Sequence, residues 1–93
     1  MRGADIEAVA VLSTAHLPQH EARTIEALIA ENVLIGMQRK EGFMLFNQQS
    51  NKLEDYSLDN LHFLLNLAQH ESVDWLMFDR DGPELPSIKT WHW

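Results

Sequence analysis

Ninety-three residues, 45% hydrophobic and 23% charged, make one domain spanning 1–93 with room for a single modest core, and they argue against disorder. Fourteen acidic against seven basic residues give a net charge of −7, with Arg39-Lys40 the only adjacent basic pair, so no direct nucleic-acid binding is expected. The absence of cysteine removes disulfides and thiolate metal sites, and no apolar run reaches the roughly 18–20 residues that cross a bilayer. Asp5 and Glu7 interrupt any signal-peptide core at once, so a cytoplasmic domain without cofactor or membrane is expected.

Residues 7–12 form a short, nearly continuous apolar run before Ser13-Thr14, the pattern of a strand buried on both faces. Pro18 occupies a first helical position, and Glu21 favours the positive end of the helix dipole. Ala22, Ile25, Leu28 and Ile29 recur at helical spacing, which predicts an amphipathic helix over 18–31 with Asn32 as its stop. Strands follow over 33–38 and 43–47, and Lys40-Glu41-Gly42 between them supplies a hairpin's glycine. Residues 48–56 are polar and patternless, a long loop. Ser57 is read as the cap of a second helix, with Asp59 in its first turn. Leu58, Leu61, Leu64, Leu65 and Ala68 make its apolar stripe; Phe63 and Leu67 widen it beyond what one core face needs. A fourth strand over 73–78 runs into the acidic turn Asp79-Arg80-Asp81-Gly82-Pro83 and a tail carrying Trp91 and Trp93.

That order is the ferredoxin-like βαββαβ arrangement, an α+β fold with a four-stranded antiparallel sheet and two helices on one face. Its first and last strands are antiparallel neighbours. Ser13, Thr14 and His16 would then lie at the opposite sheet edge from Asp79, Arg80 and Asp81, roughly 15 Å or more away. The alternative turns on the long loop. If it runs the length of the sheet, the last strand lies parallel to the first in a mixed sheet that leaves open helices on both faces, and both clusters meet at carboxyl ends, where open α/β sheets bind ligands. The ferredoxin-like arrangement is the expectation, and with it no composite site.

The run from Leu76 to Gly82 matches the first motif of haloacid-dehalogenase-like phosphatases, whose two carboxylates at i and i+2 share a magnesium ion and a phosphate. That motif opens a doubly wound domain, whereas only twelve residues follow Asp81 here. A structural turn is the better reading. Asp79 or Asp81 accepts backbone N–H bonds, Arg80 pairs with a carboxylate, and Asp79→Asn costs on the order of 1–3 kcal/mol if a buried bond is lost. His16 and His20 are four apart with Pro18 breaking their shared face; His62 and His70 are eight apart, too far for one ion; His92 falls in a tail expected to be mobile. No metal ligands are assigned. Ser13, Thr14 and His16 imitate a nucleophile and base but lack a glycine elbow or oxyanion hole, so no catalytic set is assigned either. Asp79, Arg80, Asp81, Ser13, Thr14 and His16 stand as binding candidates.

Leu12-Ser13-Thr14-Ala15-His16-Leu17 resembles one end of the DUF5983-type domain. Asp74-Trp75-Leu76, then Asp79-Arg80-Asp81-Gly82-Pro83, Leu85-Pro86 and a terminal Trp, is similar to the other end. The resemblance covers roughly a third of the chain, and residues 37–40 and 47–56 depart from it. It implies a small domain of unknown function carried on plasmids, integrated elements or prophage-like islands, often near antirestriction genes, and it implies no activity.

Two functions follow as expectations. The first is a non-enzymatic acidic protein-interaction module of such an element, acting on a host protein. Its surface is placed at Phe63, Leu67, Trp91 and Trp93, either in a homodimer or with the tail folded back over the second helix. The alternative is a small-ligand or metal-binding domain, in its strongest form a hydrolase, that uses Asp79 and Asp81.

Overall fold

The computed structural model describes residues 6–47 and 56–93. The readings made above on residues 1–5 and 48–55 lie outside the described residues. In chain order the elements are β1 (Val9–Ser13), α1 (Gln19–Ala30), β2 (Gly36–Arg39), β3 (Gly42–Phe46), α2 (Asp59–His70) and β4 (Trp75–Asp79), with a 3-10 turn at Thr14–His16.

The first helix forms as its spacing predicts. Ala22, Ile25, Leu28 and Ile29 are buried, and Asn32 leaves the helix in the left-handed region at φ 59°. Pro18 sits one residue earlier than expected, as the N-cap. The second helix starts differently from its sequence reading. Ser57 has φ 55°, Leu58 is the N-cap, and no side chain of the cap residue bonds the first turn. Glu21 of α1 supplies the missing acceptor. Its Oε1 accepts the Leu61 N–H at 3.0 Å, and its Oε2 accepts the Asn60 N–H at 3.3 Å and the Asn60 side-chain amide. One buried carboxylate in the first turn of α1 therefore also satisfies orphan donors at the positive end of α2.

The sheet order is β1-β4-β3-β2, with β1 parallel to β4 and the other two pairs antiparallel. The antiparallel ferredoxin-like sheet is thus corrected to the mixed sheet. The reason is where β3 stops and where α2 begins. Asn47, just past β3, donates its N–H to the Asp74 carbonyl at the start of β4, whereas Asn60 and Leu61 at the start of α2 meet Glu21 at the other end. β3 therefore stops at one end of the sheet and α2 begins at the other, so β4, which follows α2, returns antiparallel to β3 and parallel to β1. Gly42 permits the close approach of hairpin and β4, since a Cβ there would fall 1.9 Å from the Phe78 carbonyl oxygen.

Register divides the side chains cleanly. Leu12, Phe78 and Phe43 align in one cross-strand row, and Ala10, Leu76, Leu45 and Gly36 in the next. Their apolar members pack with Leu17, Leu34, Leu58 and the buried faces of both helices into one core. The alternate residues occupy the opposite face. Val9 aligns with Trp75 and Phe46, and Val11 with Met77, Met44 and Met37. Among the described residues no helix covers that face, and Val9, Val11 and Met37 are 44%, 42% and 53% exposed. The expectation of a β1 buried on both faces is therefore corrected. It is an edge strand whose apolar run faces a core on one side only.

Candidate functional site

Parallel pairing brings the two recognisable ends of the chain together. Ser13 is the register partner of Asp79, so the turn after β1 and the turn after β4 leave the sheet side by side at its carboxyl edge. The expected wide separation of Ser13, Thr14 and His16 from Asp79, Arg80 and Asp81 is corrected with the topology. What meets there is mostly committed to local structure. The Ser13 Oγ accepts the Ala15 N–H at 3.0 Å and caps the 3-10 turn. The Asp79 Oδ1 accepts the Asp81 N–H at 2.8 Å, an Asx turn, and the Arg80 N–H donates to the Glu41 carbonyl at 2.8 Å. Among the described residues Arg80 has no carboxylate partner, so the ion pair expected of it is absent. Asp79→Asn is now expected to change stability by less than about 0.5 kcal/mol, because an asparagine oxygen accepts the same exposed bond. Asp79→Ala should cost about 1 kcal/mol in urea unfolding. Equal losses from the two variants would mean the charge, not the turn, matters.

His16 is buried, and its ring is held at both nitrogens. Nδ1 meets the Lys89 carbonyl at 3.0 Å, and Nε2 meets the Leu85 N–H at 2.8 Å. A carbonyl only accepts and an amide N–H only donates, so the proton sits on Nδ1. Around this ring the tail is laced to residues 13–17. The Ser13 N–H donates to the Pro83 carbonyl, the Trp91 N–H to the Ala15 carbonyl, and the Trp93 Nε1–H to the Leu17 carbonyl, each at 2.8 Å. Ile88 packs against the core, and the Lys89 ammonium lies 4.9 Å from the centre of the Trp91 ring. The tail expected to be mobile is thus bonded across the carboxyl end of β1.

A shallow cleft of about 290 Å3 remains there, lined by Ser13, Thr14, Ala15, Arg80, Glu84, Trp91 and Trp93. Among the described residues no three His, Asp or Glu side chains are placed to hold a metal ion. Phe63 and Leu67 stay exposed on α2 although the tail passes close by: Trp91 shares a depression with Phe63, and Leu85 shares an apolar groove with Leu67. No helix among the described residues is long and apolar enough to cross a membrane.

The helix-free sheet face was missed in the sequence reading, though a signal for it exists. Val9, Val11, Met44, Phe46, Trp75 and Met77 fill the second parity of strands whose first parity is already apolar. Two helices on one side of a sheet cannot cover both parities, so one apolar face had to remain outside the core.

Fold and site together define a small α+β domain with a four-stranded mixed sheet, two helices on one face and a tail strapped over its carboxyl edge. The chain belongs to DUF5983, a family of unknown function, whose C-terminal domain matches residues 9–93. No curated protein and no solved structure matches the chain.

Proposed function

We propose that this domain is a non-enzymatic, acidic protein-interaction module of a mobile genetic element, working in the cytoplasm on a host protein. The observation that supports it is the sheet face on which no helix lies among the described residues, where Val9 and Trp75 align, Val11, Met77, Met44 and Met37 form an apolar row, and Val9, Val11 and Met37 are exposed. Apolar surface gathered in this way is costly to leave in water and marks interaction sites. Glu7, which accepts the Trp75 Nε1–H, and Asp79 stand at its margins, and the Arg39 guanidinium lies against Met77. With a net charge of −7 on the chain, this suits a partner with an apolar centre and a rim of mostly basic residues. The first-favoured surface at Phe63 and Leu67 becomes a secondary contact region on the other layer of the molecule.

The test is a photo-crosslinking side chain placed at Met37 or Met44, with Glu31 beyond α1 as control, in extracts of the native host. One protein should be captured from both sheet positions and not from Glu31, and Val11→Asp should abolish the capture. Captures that ignore Val11→Asp, or none at all, would defeat the module.

A second reading, a small-ligand or metal site using Asp79 and Asp81, is favoured by the parallel pairing that sets Ser13 beside Asp79. A ligand that binds only the folded state raises the melting temperature by mass action. Titration with magnesium, manganese and zinc that leaves the melting temperature unchanged would remove its metal form.

A further inference from the structure

The outer edge of β1 is an unpaired strand edge. The Trp75 N–H donates to the Ala8 carbonyl, which fixes the parity of the parallel ladder. Residues 8, 10 and 12 point their backbone groups at β4, and residues 9, 11 and 13 point theirs outward. The Ser13 N–H is taken by the Pro83 carbonyl. The N–H and C=O groups of Val9 and Val11 therefore face away from the sheet, with no partner among the described residues. Proteins blunt such edges with charges, prolines or bulges. The run Val9-Ala10-Val11-Leu12 contains no charge and no proline, whereas the opposite edge strand β2 carries Gln38 and Arg39.

Side chains flank this edge on both faces. Val9 and Val11 lie on the open face. On the helix side a groove of about 130 Å3 runs between β1 and α2, lined by Ala10, Leu12, Leu64, Leu67 and Leu85 among others, with Glu71 as its charged member. Glu7 lies beyond one end of the edge and Glu84, next to Pro83, beyond the other. We infer that β1 takes up a short extended segment of the partner protein as an added strand. This rests on the interaction-module reading. The segment carries one aliphatic side chain of leucine size, seated in the groove opposite Ala10, with β-branched neighbours beside Val9 and Val11 and basic residues outside them. Pro83 caps the edge at Ser13 and limits the added strand to about the span of residues 8–12. It also disfavours a second copy in this place. In an antiparallel β1–β1 pairing centred on Ala10, residue 7 of the second copy would run into Pro83.

The probe is the pentapeptide Arg-Val-Leu-Val-Arg titrated into isotope-labelled protein and followed by NMR. Shifts should concentrate at the Val9 and Val11 amides and the Leu64 and Leu67 methyls. Methylating the peptide's valine nitrogens, or exchanging its leucine for serine, should each weaken binding about tenfold or more. Val11→Pro removes one outward N–H without touching the β4 ladder, and Leu67→Lys blocks the groove from an exposed helix position, so it reports even if the proline variant unfolds. Both should weaken the peptide about tenfold. Shifts centred on Arg80 and Trp93, or binding indifferent to Leu67→Lys, would overturn the inference. So would a mass that doubles with concentration and reverts in Val11→Pro, because a second copy would then hold the edge. If crosslinks from Met37 and Met44 persist while the peptide ignores β1, strand addition fails and the module stands. Loss of those crosslinks with the peptide still on β1 would mean the reverse for the sheet face.

Discussion

Glu21→Ala is expected to lower the unfolding free energy by about 3 kcal/mol. Its buried carboxylate accepts the Asn60 and Leu61 N–H groups and the Asn60 side-chain amide where α1 meets α2, and the bond to Leu61 is itself buried. Charge-assisted bonds of this kind contribute roughly 1.5–3 kcal/mol each, and removing the acceptor leaves buried donors unpaired at the helix's positive end. Against this stands the desolvation of the carboxylate, which is why the expected loss is nearer one such bond than three. Glu21→Gln keeps one oxygen for the Leu61 N–H but turns an amide donor toward the Asn60 N–H, and it should lose about half as much. Urea unfolding measures both. Amide exchange should rise first at Asn60 and Leu61. If Glu21→Ala costs less than about 1 kcal/mol, burial of the charge cancels its bonds and α2 needs no cap from α1.

The second large effect is expected at His16. His16→Ala removes two side-chain bonds to the tail and leaves the Leu85 N–H and the Lys89 carbonyl without them, and it opens a void under the strap. Unsatisfied groups cost roughly 1–3 kcal/mol each and the lost packing adds to that, so a fall of about 3 kcal/mol is expected. The tail should also loosen before the rest of the domain. Trypsin should then cut after Lys89 far faster in His16→Ala than in the parent, at a temperature where both remain folded. Equal resistance would show that the Trp91 and Trp93 bonds to Ala15 and Leu17 hold the strap unaided.

Much of the fold was legible in local pattern. Both helices, all four strands and the hairpin follow from period and turn chemistry, and the buried stripes of α1 and α2 are the residues their spacing names. Strand ends shifted by one to three residues, as at β2, where Val33 and Leu34 still belong to the close of α1. The site was less legible. Asp79 as a turn acceptor is a local matter, readable from an acidic residue before Gly-Pro. The partners of His16 and Glu21 are not, because each lies about forty to seventy residues away in the chain.

By itself the sequence determined an α+β fold in a chain of net charge −7, the order of its elements, and which residues alternate on each strand. These depend on side-chain period and backbone preference, which act over a few residues. Only the tertiary structure decided the direction of β4, since that depends on whether α2 begins at the end of the sheet where β3 stops or at the opposite end, and no local preference records that. From that direction came the rest: β1 at an edge, Ser13 beside Asp79, and the tail laced around His16. The apolar parity of the strands was written in the sequence throughout. Which parity met the helices, and which was left to face outward, was settled by packing.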